Sequence, residues 1–113
     1  MPKILECGKI KGILSEESGA NNLVFRTVFS HKDGSRLVIS YNDVLPGGNT
    51  KNHAHPEEHV AFIVKGEGVL DSGDGNPRPI SEGMAIYIPS DEQHCFRNTG
   101  DKAMVIFGVK PEE

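Results

Sequence analysis

An all-β domain, closed into a sandwich or a barrel, is the fold that this sequence predicts. Its 13 glycines and 7 prolines are spread along 113 residues, and they divide the chain into short segments rich in β-branched and aromatic residues. No capped apolar pattern of period 3.6 continues for the roughly ten residues that indicate a helix. Strands at regular spacing without intervening helices favour a closed sheet, because closure removes exposed edges.

The strands follow one another along the chain with turn signals between them. Residues 23–29 and 37–41 flank a turn containing Asp33 and Gly34, which favours a hairpin because glycine tolerates a positive φ. Further strands are expected at 59–65, 68–72, 85–88, 94–98 and 103–109. Turns are expected at 46–48, 66, 71–75, 82–83 and 99–101, with a short turn within 10–18. No linker divides the chain, so we expect one domain over 1–113.

Charge and hydropathy restrict the partners. Lysine and arginine total 12 against 16 acidic residues, and the formal charge of -4 provides no basic surface for nucleic acid or an anionic membrane. The first residues lack the apolar core of a signal peptide, and no segment approaches the roughly 20 apolar residues that span a bilayer. Cys7 and Cys95 have neither disulfide-framework nor zinc-ribbon spacing. We expect a cytoplasmic protein with reduced thiols, with Cys95 buried.

Two of the predicted strands lack a polar face. Residues 60–64 and 104–107 are apolar on both sides of the pleat, unlike strands that expose one side to water. A second sheet of the same chain would cover the outer side, but 113 residues leave little chain to spare. We therefore prefer a homodimer, packed sheet against sheet, over a monomer.

Histidine clustering is the main chemical signal. His53, His55 and His59 lie within seven residues, and residues i and i+2 of a strand point to the same side. Pro56 favours a turn after His55 that returns His59 toward the first pair. His94 comes from a later strand, and four imidazoles inside a barrel suit zinc, iron, nickel or manganese. An isolated His-x-His pair is more often a solvated pair near a strand end.

The whole pattern resembles the cupin family of the small single-domain, cupin 2 type. The first cupin motif, Gly-x5-His-x-His-x3-Glu-x6-Gly, spans 47–66 and is matched by Gly47, His53, His55 and Gly66, with His59 at the glutamate position. The second motif, Gly-x5-Pro-x-Gly-x2-His-x3-Asn, spans 83–98 and is matched by Gly83, Pro89, His94 and Asn98, with Asp91 at the middle glycine. The resemblance implies a jelly-roll-like β-barrel, often dimeric, that holds one divalent metal through His53, His55, His59 and His94.

The histidine at position 59 changes the charge of such a site. Three histidines and a glutamate would leave a divalent ion at net +1, whereas four neutral histidines leave it at +2. The sequence therefore favours an anionic, oxygen-rich guest, such as a dicarboxylate, a 2-oxo acid or an enolate. It would also make the ion a stronger Lewis acid.

Two classes of function follow from this reading. The first is a metal-dependent enzyme of the dioxygenase, decarboxylase, isomerase or lyase type, acting on a small anionic substrate. The alternative is a non-catalytic small-ligand or sugar-binding module with a structural metal. Cupin barrels host many unrelated chemistries, so the resemblance does not choose between them, and the sequence places no general acid or base.

For the remaining polar and aromatic residues the sequence supports less specific predictions. Glu57 and Glu58 are candidates for a substitute ligand or a base, against the ordinary reading of a solvated turn. Asn98 is expected to fix a turn, Arg97 to face away from His94, and His31 to be exposed and without a chemical role. The larger aromatic residues are expected to pack in the core: Tyr41, Phe62, Tyr87, Phe96 and Phe107.

Overall fold

Ten strands and two short 3₁₀ turns are seen in the computed structural model, which describes residues 1–112. The 3₁₀ turns lie at Cys7–Lys9 and His31–Asp33. The strands are β1 (Ile13–Leu14), β2 (Asn21–Phe25), β3 (Thr27–Phe29), β4 (Leu37–Asn49), β5 (His59–Lys65), β6 (Glu67–Asp71), β7 (Arg78–Ser81), β8 (Ala85–Ile88), β9 (Cys95–Asn98) and β10 (Met104–Pro111).

The strands form one curled antiparallel sheet. Its hydrogen-bonded order is β7-β6-β9-β4-β10-β5-β8, with β2 and β3 paired to β4 and β1 paired to β2. The fold is the all-β, jelly-roll-like barrel that the sequence predicts. No helix within residues 1–112 is long and apolar enough to cross a membrane.

Most predicted strands are present, with differences where local chemistry interrupts pairing. The strands expected at 59–65 and 85–88 have those bounds in β5 and β8. The strand expected at 23–29 is divided at Arg26, whose backbone N–H donates to the Asn42 side-chain oxygen instead of a ladder carbonyl. The short strands β1 and β7 were not predicted, because neither carries a long apolar alternation.

The turn expected at 46–48 is instead a bulge inside β4. Leu23 pairs with Val44 and Asn21 with Asn49, so a single residue of β2 faces four residues of β4. Gly47 takes a positive φ of 76°, as a turn glycine would. The backbone rotates locally but stays in the ladder, and the bulge bends β4 so that it serves both halves of the barrel.

The core fills one end of the barrel interior. Val44, Ala61, Ile63 and Met104 are fully buried. They occupy inward positions on three adjacent strands, where β10 pairs with both β4 and β5. Further along the same strands the inward positions include Ser40, Asn42 and Lys110, which line a cavity at the other end of the interior.

The expectation that all five aromatic residues pack in the core is wrong for two of them. Phe96 is 2% exposed, but Phe62 is 42% and Tyr87 is 60% exposed. Phe62 alternates with the buried Ala61 and Ile63, and Tyr87 with the buried Ile88, so both point outward from the sheet. The outer face of β5 and β8 is therefore apolar.

Candidate metal centre

Backbone pairing joins the two histidine-bearing segments. The His53 N–H donates to the His94 carbonyl at 3.2 Å, and the His94 N–H donates to the His53 carbonyl at 3.0 Å. Residues directly opposite each other in an antiparallel pair place their side chains on the same face. The Asp91 N–H also donates to the His55 carbonyl at 2.7 Å. These bonds align segments some 40 residues apart, as the chain numbering shows.

Three histidines form a compact cluster on this scaffold. One nitrogen from each of His53, His55 and His94 lies within 4.8 Å of the others. Their ring centroids are 5.0 Å apart for His53 and His55, 4.8 Å for His53 and His94, and 4.9 Å for His55 and His94. This is a triad of ligand atoms that one transition-metal ion can bridge.

His59 lies on the same cavity wall but outside the compact triad. Its ring centroid is 6.3 Å from that of His55 and 5.9 Å from that of His94. It faces Gly108 on β10, where an added Cβ would come within 3.0 Å of the imidazole Nε2. Glycine at 108 therefore provides the space in which the His59 ring lies. The structure brings together three of the four predicted ligands, and the fourth remains a prediction.

The departure of Asp91 from the second motif has a conformational explanation. Asp91 has a φ of 63°, in the left-handed region that glycine adopts freely and that aspartate and asparagine tolerate better than most residues. The conformation directs its amide to the His55 carbonyl. The position requires a left-handed backbone, and aspartate supplies it in place of glycine.

The imidazoles have the hydrogen-bonding state that a metal requires. His94 Nδ1 lies 3.0 Å from the Glu92 carbonyl oxygen, which only accepts, so Nδ1 donates and Nε2 keeps its lone pair for an ion. The buried Nδ1 atoms of His53, His55 and His59 have no hydrogen-bond partner within residues 1–112. Such unpaired nitrogens are costly in a protein interior, and the donor set fits a divalent transition metal.

Burial disfavours the protonated form of His53, His59 and His94. Loss of hydration lowers the pKa of His53 and of His94. The same effect, reinforced by the charges of His94, His55 and Lys110, lowers the pKa of His59 to about 4. Neutral imidazole is the form that binds a metal ion, so the site is ready for one at neutral pH.

The histidines open into a cavity of about 350 Å³. Its apolar lining comes from Leu23, Phe25, Val38 and Phe96, and its uncharged polar lining from Ser15, Thr27, Ser40, Asn42 and Thr50. The charged side chains along it are Glu17, Arg26, Lys51 and Lys110. A small molecule in this cavity would meet the histidines at one end and these groups along its walls.

Two of the charged residues, Lys110 and Glu17, are functional candidates that sequence reasoning missed. Arg26 is held by Asp43 at 3.2 Å and by the Ile10 carbonyl at 2.7 Å, whereas Lys110 forms no ion pair within residues 1–112. Glu17 lies near enough to raise the pKa of His53 against the effect of burial. Lys110 has the same inward parity as Gly108 on β10, which is the signal that would have found it. Glu17 lies outside both motifs and carried no signal.

The other polar residues differ in whether they lie close to the histidine cluster. Glu58 is exposed, whereas Glu57 is largely buried with Oε1 3.6 Å from His55 Nδ1. Arg97 points away from the cavity to Asp71 at 2.7 Å, as predicted. His31 has a side chain that is 67% exposed and lies 2.7 Å from Glu112.

The predictions for Asn98 and the cysteines are confirmed. Asn98 donates to the Val44 and Lys102 carbonyls and accepts from the Gly100 N–H, so it fixes the turn after β9. Cys7 and Cys95 are free thiols. Cys95 is 4% exposed, and burial raises the pKa of its thiol, which makes it a poor nucleophile.

Comparison with known proteins assigns the family. The family model described as Cupin_2, cupin domain, matches residues 41–110, which include both motifs and all four predicted ligands. The chain belongs to the cupin family.

Two curated proteins from Streptomyces match over part of the chain. The chain is 37% identical over 70 residues to Protein SchB of Streptomyces halstedii, covering 60% of this chain and 50% of SchB. It is 35% identical over 68 residues to Polyketide synthase CurC of Streptomyces cyaneus, covering 58% of this chain and 44% of CurC. The chain thus spans about half the length of these curated relatives.

A solved structure matches over the full chain. The polyketide cyclase RemF from Streptomyces resistomycificus is 30% identical with a TM-score of 0.92, covering 100% of this chain and 81% of the RemF chain. The predicted oxalate decarboxylase tm1287 from Thermotoga maritima has a TM-score of 0.87 at 22% identity, covering 98% of this chain and 100% of that one. The latter match shows the fold alone.

The metal-free protein is expected to lose stability in acid. The unfolded chain protonates its histidines near pH 6.5, but folded His59 resists until about pH 4. The contribution of His59 to the unfolding free energy is therefore constant above about pH 6.5 and falls between about pH 6.5 and about pH 4, by about 3 kcal/mol at most. Urea unfolding with chelator at pH 7.5 and 4.5 measures the fall.

The matched variants are His59→Leu and His31→Leu. The fall in unfolding free energy between pH 7.5 and 4.5 should be smaller in His59→Leu, because the contribution of His59 is gone. In His31→Leu, at an exposed position, the fall should equal that of wild type. An equal loss in both variants would contradict the assignment to His59.

Proposed function

We propose that this chain is a metal-dependent enzyme in which His53, His55, His59 and His94 hold one divalent ion and act on a small, anionic, oxygen-rich substrate. The observation that carries the proposal is the cluster of three imidazoles that line a cavity of about 350 Å³. His59 lines the same cavity, with its ring centroid 5.9 Å from that of His94.

The substrate class that the site supports is an enolisable polycarbonyl compound or a related dicarboxylate. A bound divalent ion would supply Lewis-acid stabilisation of an oxyanion. Leu23, Phe25, Val38 and Phe96 would exclude water from the carbon skeleton, and Lys110 would pair with an anionic group. The likeness to the polyketide cyclase RemF, at 30% identity over the whole chain, supports a polyketide-type substrate.

Elemental analysis tests the metal assignment. Protein purified without a histidine tag should contain one divalent ion per chain, drawn from manganese, iron, nickel or zinc according to supply. His94→Ala and His59→Ala should both lose it, because each removes a ligand, while His31→Ala should keep it. Stoichiometric metal in both ligand variants would end the four-histidine assignment, and its loss from His94→Ala alone would reduce the site to three histidines.

Lys110 should contribute to anion binding. Malonate, a bidentate dicarboxylate, should raise the melting temperature of the metal-loaded protein and bind about tenfold more weakly to Lys110→Gln, because a charge-assisted contact is lost. Lys102→Gln, exposed on the turn before β10, is the control and should match wild type. Equal malonate affinity in the two variants would remove Lys110 from the site.

A binding module without turnover is the alternative. It predicts that the ion is closed to exchangeable ligands, so that malonate changes neither the melting temperature nor the electronic spectrum of the cobalt-loaded protein. The open cavity beside the histidines favours the enzyme. Turnover of 2-oxo acids and β-dicarbonyl compounds by the metal-loaded protein, absent from His94→Ala, would decide between the two.

We also propose that two copies pair through the outer face of β8, β5, β10 and β4. Phe62 and Val60, each 42% exposed, lie directly opposite Phe107 and Val109, and Tyr87 extends the patch on β8. An apolar face of this breadth on a monomer marks an interaction site. An apolar sheet face can match a second copy of itself across a two-fold axis.

Sedimentation tests the pairing. Wild type should sediment as a dimer at micromolar concentration, and Phe62→Glu combined with Tyr87→Glu should produce a folded monomer, because charges would be buried at the contact. The control combines Ile4→Glu and Leu14→Glu, at exposed apolar positions outside the patch, and should remain dimeric. A monomeric wild type, or a dimeric Phe62/Tyr87 variant, would contradict the proposal.

A further inference from the structure

Glu57 presents an anomaly beside the histidine cluster. Its side chain is only 14% exposed, and its Oε1 is buried with no hydrogen-bond partner within residues 1–112. A buried carboxylate without a donor is strongly unfavourable. The adjacent Glu58 is exposed, so the burial of Glu57 is not a property of the whole turn.

The nearest basic atom is an equally unpartnered nitrogen. Glu57 Oε1 lies 3.6 Å from His55 Nδ1, which is also buried without a hydrogen-bond partner. The separation exceeds hydrogen-bond range by roughly half an ångström, a gap that a small side-chain rotation closes. If His55 carries its proton on Nδ1, this nitrogen can donate a hydrogen bond to Glu57 Oε1, and both buried atoms then have a partner.

His94 already shows this arrangement within the site. Its Nδ1 donates to the carbonyl of Glu92, two residues before it, and this leaves Nε2 for a metal. Glu57 is two residues after His55 and offers a carboxylate in place of a carbonyl. A carboxylate partner both fixes the tautomer and orientation of a ligating imidazole and makes it a stronger donor.

We propose that Glu57 is the positioning residue of His55: its carboxylate accepts a hydrogen bond from Nδ1–H, aims Nε2 at the ion, and adds one negative charge beside the site. The inference rests on the proposed metal function. Glu57 would contact the ligand His55 and not the ion itself. Its charge would therefore substitute indirectly for the glutamate that the cupin motif has at position 59. The centre is then less positive toward an anionic guest than four histidines alone would make it.

Zinc affinity, measured by competition with a chromogenic chelator, is the first test. Glu57→Gln keeps the shape but removes the charge, and it should weaken zinc binding by about 10- to 100-fold. Glu58→Gln is the matched control and should bind zinc as wild type does. Without metal, Glu57→Gln should be at least as stable as Glu58→Gln, because it removes an unpaired buried charge.

Two further readouts separate positioning from a general structural effect. In zinc-saturated wild type, long-range ¹H–¹⁵N NMR should show His55 with a protonated Nδ1 protected from exchange, and Glu57→Leu, which has no hydrogen-bond acceptor, should lose that protection. Zinc-saturated Glu57→Gln should also bind malonate about two- to fivefold more tightly than Glu58→Gln, since a nearby negative charge is gone. A loss of metal affinity with a gain of anion affinity is not expected from misfolding.

The outcomes distinguish this inference from the proposed function. If wild type binds no zinc, or His94→Ala binds it as tightly, the metal function itself fails. If wild type binds zinc through His94 but Glu57→Gln and Glu58→Gln bind it equally, only the role of Glu57 is overturned. A loss of zinc affinity beyond about a thousandfold in Glu57→Gln would also overturn it, because a direct ligand is then indicated.

Discussion

The reciprocal backbone pair between His53 and His94 is the contact on which the site depends. Its two hydrogen bonds hold a loop segment after β4 against the start of β9, and the rings follow because directly opposed residues share a face. The Thr50 N–H, which donates to the Phe96 carbonyl at 2.8 Å, continues the pairing of the two segments. The Asp91 amide bonded to the His55 carbonyl adds a second fixed point, so the ligand geometry is set by main chain rather than by side-chain packing.

How far the site was predictable depends on the range of the interactions involved. The prediction paired His53 and His55 through strand alternation, but the structure places both after β4, where only an isolated bridge joins His53 to His94; His94 followed from its motif. The position of His59 did not follow, because it depends on the course of the turn at Pro56 and on the space that Gly108 leaves across the sheet. Alternation along β10 gives Lys110 the parity of Gly108, but which parity faces the cavity depends on the register of β10 with β4, which only the folded sheet determines.

The fold was more predictable than the boundaries of its elements. Strands with continuous apolar sequence, such as β5, had the expected limits, whereas Gly47 was misread because its positive φ serves a bulge as well as a turn. Phe62 and Tyr87 were assigned to the core from residue type alone. Parity against Ala61 and Ile88 places them outside, and that parity requires knowledge of which face of the sheet is enclosed.

The length of β4 has a consequence for the evolution of its cavity. Val38, Ser40 and Asn42 are alternate residues of one strand and line the cavity, about 6.7 Å apart from one to the next. Their side chains therefore line the cavity at three successive depths along the barrel axis. Enlarging or shrinking one of these side chains would alter the length of molecule that fits, and the histidines would stay where they are.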